Sequence, residues 1–223
     1  LPGRIGILFS GAGFETGTQF FEIPFIYREL EKLGGLAVNL IPKDLVPTAG
    51  RGKYTPSRDI FAECLPILRG ESVAVGEFDP QDIDGLIIPG GRGPITLLSD
   101  IAEAGPDARV VRSVQDLIVG MHVRSKPIGS LGYGGALVMI SLKRSVEEPI
   151  IVMGEDANLV SLLSPLGIAP VKVGPQEVVF DQDNLLFSVS GIAPDSSFSK
   201  GADGVERLTV ALFELCLKKK KKK

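Results

Sequence analysis

The sequence predicts an α/β domain: a doubly wound, mostly parallel sheet with helices on both faces and an added antiparallel hairpin. Three observations carry this. Short β-rich apolar runs alternate with amphipathic stretches, the order in which strands and crossover helices build a parallel sheet. Two late runs, Val178-Val179-Phe180 and Leu185 to Val189, flank the turn sequence Asp181-Gln182-Asp183-Asn184, which reads as a hairpin. Three of the runs end in glycine, as tight βα turns do.

Taken in order, Ile5 to Phe9 is a first buried strand, leading into the glycine loop Ser10-Gly11-Ala12-Gly13. A helix is predicted over Phe20 to Leu33, stopped by Gly34-Gly35, with Pro24 in its first turn because proline further in would kink it. Ala37 to Ile41 is a second strand. Ser57 is placed to cap a helix running to Arg69, with Gly70 as its stop. Val73 to Phe78 reads as a short strand, and Asp84 to Gly91 as a buried strand with a glycine exit. Arg109 to Val123 carries apolar residues at Val110, Val111, Val114, Leu117, Ile118 and Met121, a helical spacing. A strand over Lys126 to Leu131 and a helix over Gly135 to Leu142 follow. Ile150 to Met153 is predicted as a strand, and Asn158 to Leu166 as a helix ended by Pro165. The last helix is predicted over Val205 to Leu217.

A chain of 223 residues, 44% of them apolar, is long enough for one α/β domain with a sizeable core. The expected division is a single domain over residues 1–217 and a basic tail over residues 218–223. Six of the 24 basic residues are that tail, Lys218 to Lys223; the other 18 face 27 acidic residues, so the globule is net −9. An acidic globule argues against a nucleic-acid-binding face. The tail reads as a solvated, disordered end, or as a contact for an acidic surface. No apolar run is long enough to span a bilayer. Cys64 and Cys216 make no disulfide framework, which points to a reducing compartment. One histidine and no Cys-x-x-Cys leave little for zinc, so no metal or other cofactor is expected. The start Leu1-Pro2-Gly3, without an initiator methionine, reads as trimmed, with a targeting peptide removed.

In sheets of this kind ligands bind at the carboxyl ends of the strands. The glycines there are Gly11 and Gly13, Gly90 and Gly91, and Gly132. Each loop alone is simplest as a tight turn; three together favour a shared pocket whose backbone N–H groups approach a small ligand. The segment Lys126 to Ala136 describes a strand, a sharp turn and a helix start, an elbow that usually thrusts a Ser or Cys out of the turn. Here the turn residue is Gly132, which has no side chain. Gly11 to Gly17 spells G-x-G-x-x-x-G, one residue too long for the dinucleotide fingerprint, and no P-loop is present. Cys64 and Cys216 read as buried structural thiols, and His122 as a solvated or capping side chain near a helix end.

The three glycine loops in this order, with Asp84 to Gly91 followed by Arg92-Gly93, resemble the PfpI-like, class I glutamine-amidotransferase-like superfamily, and within it the ElbB-type glyoxalase-like branch with mitochondrial relatives. The matching features are Arg4 to Gly13, the Arg69-Gly70 helix end, Leu86 to Gly93 with Leu98-Ser99, Lys126 to Gly132, the Asp181 to Asn184 turn, and Gly204 to Leu212. The resemblance implies a flavodoxin-like fold, a cysteine at the elbow and an acid in or after the first loop, which supports the thiolate. Carried onto this chain, the cysteine position falls on Gly132 and the acid position on Gln19, with Tyr133 where a smaller residue or His is usual. No catalytic residue is then expected; Gly132, Gln19 and Tyr133 are vestigial. The expected pocket consists of Gly11, Gly13, Glu15, Gly90, Gly91, Arg92 and Gly132. Glu15 and Glu22, near Gln19, could still supply a carboxylate.

Three functions compete at this stage. A non-catalytic accessory or structural subunit of an organellar assembly is favoured. A glyoxalase III or deglycase-type enzyme acting on small aldehydes such as methylglyoxal, and a sensor of small metabolites or anions, are the alternatives. The resemblance implies protein partners, in a larger complex or as a homodimer, and a mitochondrial matrix location, with plastid and cytosol as alternatives.

Overall fold

The computed structural model describes residues 2–45, 59–154, 156–167, 171 and 173–220. Its strands are β1 (Arg4–Leu8), β2 (Leu36–Ile41), β3 (Glu71–Ala74), β4 (Gly85–Ile88), β5 (Ile128–Leu131), β6 (Val179–Asp181) and β7 (Leu186–Val189). They form one sheet in the order β3-β2-β1-β4-β5-β7-β6. Every neighbouring pair is parallel except the hairpin β6–β7. Strands β1 to β3 grow outward on one side of the sheet and β4, β5 and β7 on the other, so the order reverses between β1 and β4. That reversal opens a crevice at their carboxyl ends. The expected flavodoxin-like arrangement is therefore what the chain adopts.

The helices are α1 (Ile23–Lys32), α2 (Ile60–Cys64), α3 (Gly93–Thr96), α4 (Ile101–Ala104), α5 (Arg112–Val123), α6 (Gly134–Leu142), α7 (Ala157–Leu163) and α8 (Phe198–Lys220). Helix α1 packs on α8, and α8 lies against β4, β5 and β7, while α5 packs on α6 and β5. The inward strand positions Ile5, Ile7, Leu86, Ile87, Ile88, Ile128 and Leu131 are all buried in one continuous core. Helix α6 is buried on every side, which fits its run of apolar residues after the elbow. No helix among the described residues is long and apolar enough to cross a membrane.

Several boundaries depart from the sequence reading, each for a local reason. The first helix opens with a 3-10 turn, Phe20–Glu22, and becomes α-helical only at Ile23, with Pro24 in its first turn as expected. The second is cut short: α2 gives way to a 3-10 turn, Leu65–Ile67, because Pro66 supplies no N–H to continue an α-helix. Its cap is Asp59, whose carboxylate accepts from the Ala62 N–H at 3.0 Å; Ser57 lies outside the described residues. The third strand ends at Ala74, and Val75–Glu77 forms a 3-10 turn. Ile150 to Met153 is not a strand. Its N–H groups go to side chains instead of a ladder: Ile150 donates to the Asp181 carboxylate at 3.0 Å and Val152 to Ser188 Oγ at 2.9 Å. Helix α7 ends at Leu163, and Pro165 sits inside the following 3-10 turn, Ser164–Leu166.

The lysine tail also departs from expectation. Helix α8 runs on through Lys218, Lys219 and Lys220. Lysine is a good helix former and its charge is favourable at a helix carboxyl end. Lys219 donates to the Ser125 carbonyl at 2.6 Å, and Lys220 pairs with the Asp84 carboxylate at 2.7 Å. Lys219 and Lys220 are therefore tied to the folded body.

Candidate functional site

At the end of β5 the chain turns through Gly132, with φ of +49°, and enters α6 two residues later. The turn is held by backbone bonds: Gly132 N–H donates to Val189 at 2.9 Å, and Gly135 N–H donates to Gly132 at 3.1 Å. A Cβ at residue 132 would lie 3.2 Å from the Ser190 carbonyl oxygen and 4.0 Å from Gly90 Cα. The strained elbow geometry is thus intact; a side chain there would need the Ser190 carbonyl to give by a few tenths of an ångström, and the residue has none.

The acid beside the elbow is Glu22. It is only 1% exposed, yet its carboxylate carries two close backbone donors. Gly90 N–H donates to Oε2 at 2.7 Å and Ile192 N–H to Oε1 at 3.0 Å. Gly191, at φ of +74°, is required here, since a Cβ on it would run into Glu22 Oε1. Burial pushes the Glu22 carboxyl up to about 7, outweighing the two N–H donors that favour the charged form. Glu22 can therefore give or take a proton near neutral pH.

The acid that lines the cavity is thus Glu22, three residues after Gln19, the position the resemblance implied. The Gln19 side chain is buried, but its Nε2 donates to the Ile192 carbonyl at 3.0 Å and its backbone N–H to Gly90 at 2.9 Å. It ties the first loop to two others and does not face the elbow cavity. One turn of 3-10 helix separates Gln19 from Glu22 and brings the latter under the Gly90 loop.

The elbow opens on a cavity of about 420 Å³ whose walls include Glu15, Glu22, Gly90, Gly91, Arg92, Gly132, Tyr133, Asp156 and Asp195. Five of the seven expected pocket residues are there. Gly11 and Gly13 are not. They fold the first loop back on itself, Gly11 accepting from Thr18 N–H at 2.9 Å and Gly13 N–H donating to Thr18 at 3.1 Å. The loop contributes Phe14 and Glu15 to the cavity instead. Arg92 lies 5.7 Å above the Tyr133 ring, and its Nε is 3.8 Å from the Glu15 carboxylate. The Tyr133 hydroxyl donates to Asp156 at 3.3 Å; burial first, then the Asp156 charge, raises its pKa. Asp156 also caps α7 by accepting from Asn158 and Leu159 N–H. Sequence reasoning missed Asp156 and Asp195, which sit far along the chain from any glycine loop.

Neither cysteine reaches this cavity. Both are buried, and Cys216 lies at the opposite end of the sheet, its Sγ 3.3 Å from the Asp84 carbonyl. Burial pushes its thiol up to about 12, so it is not a nucleophile.

No protein-family model matches the chain. It is 25% identical over 224 residues to the mitochondrial ES1 protein homolog of Rattus norvegicus, across 95% of this chain and 84% of the relative. It is 30% identical over 132 residues to the mitochondrial glutamine amidotransferase-like class 1 domain-containing protein 3 of Homo sapiens, across 56% of this chain and 49% of that protein. These names support mitochondrial residence for this chain. Among solved structures, an isoprenoid biosynthesis protein with an amidotransferase-like domain from Ehrlichia chaffeensis superposes with a TM-score of 0.81 at 20% identity, over 95% of this chain and 99% of that one. Glyoxalase III of Candida albicans gives 0.59 at 13% identity, over 96% and 98%. Both share the fold.

Proposed function

The chain belongs to the PfpI-like, class I glutamine-amidotransferase-like superfamily, and from that we propose that it is a member without thiol chemistry, working as an accessory or structural protein of mitochondria. The single observation that carries this is Gly132: an elbow with the backbone of a nucleophile turn and no side chain. Neither Cys64 nor Cys216 is placed to substitute. Covalent attack on a carbonyl needs an activated nucleophile, and Glu22 alone supplies only proton transfer.

A partner-binding role draws support from the surface. Phe21 and Phe198 are more than half exposed and meet edge-to-face at 5.9 Å, with Phe25 6.1 Å from Phe198. Clustered exposed aromatics are the kind of patch that protein partners cover.

The test uses the native protein and a Gly132→Cys variant with methylglyoxal. The native protein is expected to leave the aldehyde unconsumed. The variant is expected to gain a thiol that alkylating reagents label at neutral pH, because Glu22 already stands beside the elbow. Consumption of methylglyoxal by the native protein, abolished by Glu22→Gln, would overturn the proposal in favour of a carboxylate-driven enzyme.

A further inference from the structure

We infer that the elbow cavity and a second, adjoining cavity together bind a small aliphatic amine, its head among the carboxylates near Glu22 and its tail in the apolar chamber. This goes beyond the accessory role and does not depend on it.

The second cavity has a volume of about 580 Å³ and apolar walls, among them Ile151, Met153, Val160, Val171 and Val173. It shares Gly154 and Ser190 with the elbow cavity. Gly154 has φ of +89° and no side chain, and a Cβ there would face the Tyr133 ring at 3.5 Å. The two chambers thus meet at a glycine, beside the ring that walls the first. The segment Ile150 to Met153 contributes to this arrangement because it is not a strand: its N–H groups at Ile150 and Val152 go to side chains on β6 and β7.

The polar chamber selects the head group by charge. Glu15, Glu22, Asp156 and Asp195 line it, against one described cation, Arg92, which already lies beside Glu15. An anionic head would meet net negative charge among these described residues. Each Glu22 oxygen accepts one backbone N–H, which leaves acceptor capacity on both. An ammonium group placed there donates to that capacity and favours the charged carboxylate. The apolar chamber then rewards each added methylene by the usual burial gain.

The experiment is calorimetric titration of the native protein at pH 7.5 with butylamine, hexylamine, butanoate and hexanoate. Hexylamine should bind at least tenfold more tightly than hexanoate, and about tenfold more tightly than butylamine for its two extra methylenes. Val160→Phe, which fills the apolar chamber, should abolish the gain from butylamine to hexylamine while the variant keeps its melting temperature within a few degrees. Glu22→Gln should weaken both amines at least tenfold; if that variant does not fold, the amine-to-carboxylate ranking in the native protein decides the head. Equal or tighter binding of the carboxylates, no dependence on chain length, an unchanged series in Val160→Phe, or no amine binding at all would each overturn the inference. Binding without turnover leaves the thiol-free reading intact, and turnover without amine binding defeats that reading separately.

Discussion

At the carboxyl end of β1, β4 and β5 a carboxylic acid is buried beside open volume; at the amino end of the same strands the charges are stapled to their neighbours. Asp84 there accepts from Arg4 N–H and from Lys220, both at 2.7 Å. Lys126 donates to the carbonyls of Pro80, Gln81 and Ile83 at 2.9, 2.8 and 2.5 Å. Those groups stay partly open to water, so each contributes little. Glu22 is enclosed and holds two loops by their N–H groups, so its loss is costly. One end of the sheet is closed by many weak, replaceable contacts. The other is organised by a single buried group whose bonding capacity is only half used. Capacity left unused in a buried site is where a ligand gains most, and saturation at the amino end is what a purely structural role looks like.

The largest expected effect comes from removing the organiser. Glu22→Leu leaves the Gly90 and Ile192 N–H groups buried without acceptors, at about 1–3 kcal/mol each. The summed loss should be about 2–6 kcal/mol in urea unfolding. A loss below about 1 kcal/mol would mean that Glu22 does not organise the carboxyl end.

The same residue sets a pH dependence with a definite sign. Its carboxyl is raised from 4.5 to about 7 in the folded state, so between those values the folded protein holds a proton that the unfolded chain has released. Its contribution is fully present below about pH 4.5 and is lost as pH rises through 7. The stability of the native protein relative to Glu22→Gln should therefore fall by about 3 kcal/mol between pH 4.5 and 8. A flat difference would mean that the carboxyl is solvated.

A third measurement compares thiols at the two ends. Cys216, pushed up to about 12 by burial and then by Asp84, should react with a disulfide reagent only as the protein unfolds. A cysteine introduced by Gly132→Cys should react at least a hundredfold faster in the folded protein. Its φ of +49° costs about 1 kcal/mol in stability, which the same unfolding assay reads. Equal rates at the two ends would mean that the elbow cavity is closed to small reagents.

The elbow was legible from sequence because glycine at a strand end, followed by a helix start, constrains the backbone locally. Gly90 and Gly91 were legible for the same reason. Glu22 was weighed only as a neighbour because linear matching placed the acid on Gln19; the deciding feature is the 3-10 turn ahead of Ile23-Pro24, which rotates Glu22 toward the Gly90 loop. The signal was present in Pro24, which fixes where the α-helix starts and leaves Glu22 just outside it. Gly11 and Gly13 misled because positive φ serves a self-closing loop as well as it serves a ligand. Asp156 and Asp195 reach the cavity through tertiary contacts that no local pattern encodes. Ile150 to Met153 has strand composition, but its pairing is decided by Asp181 and Ser188 on strands further along the chain.

The smallest expected effect tests the amino end. Lys220 pairs with Asp84 at 2.7 Å, with side chains 37% and 19% exposed, and also donates to the Pro2 carbonyl at 3.3 Å. Partial exposure screens the pair, and the long lysine side chain gives up rotamer freedom to form it. Lys220→Ala should cost no more than about 1 kcal/mol. Part of that loss should vanish in 1 M salt, where the screening length falls to about 3 Å. The Asp84 carboxylate would keep its bond from Arg4 N–H, so no buried charge is stranded. A loss above about 2 kcal/mol, insensitive to salt, would mean that the lysine run is as organising as Glu22, and the contrast between the two ends of the sheet would collapse.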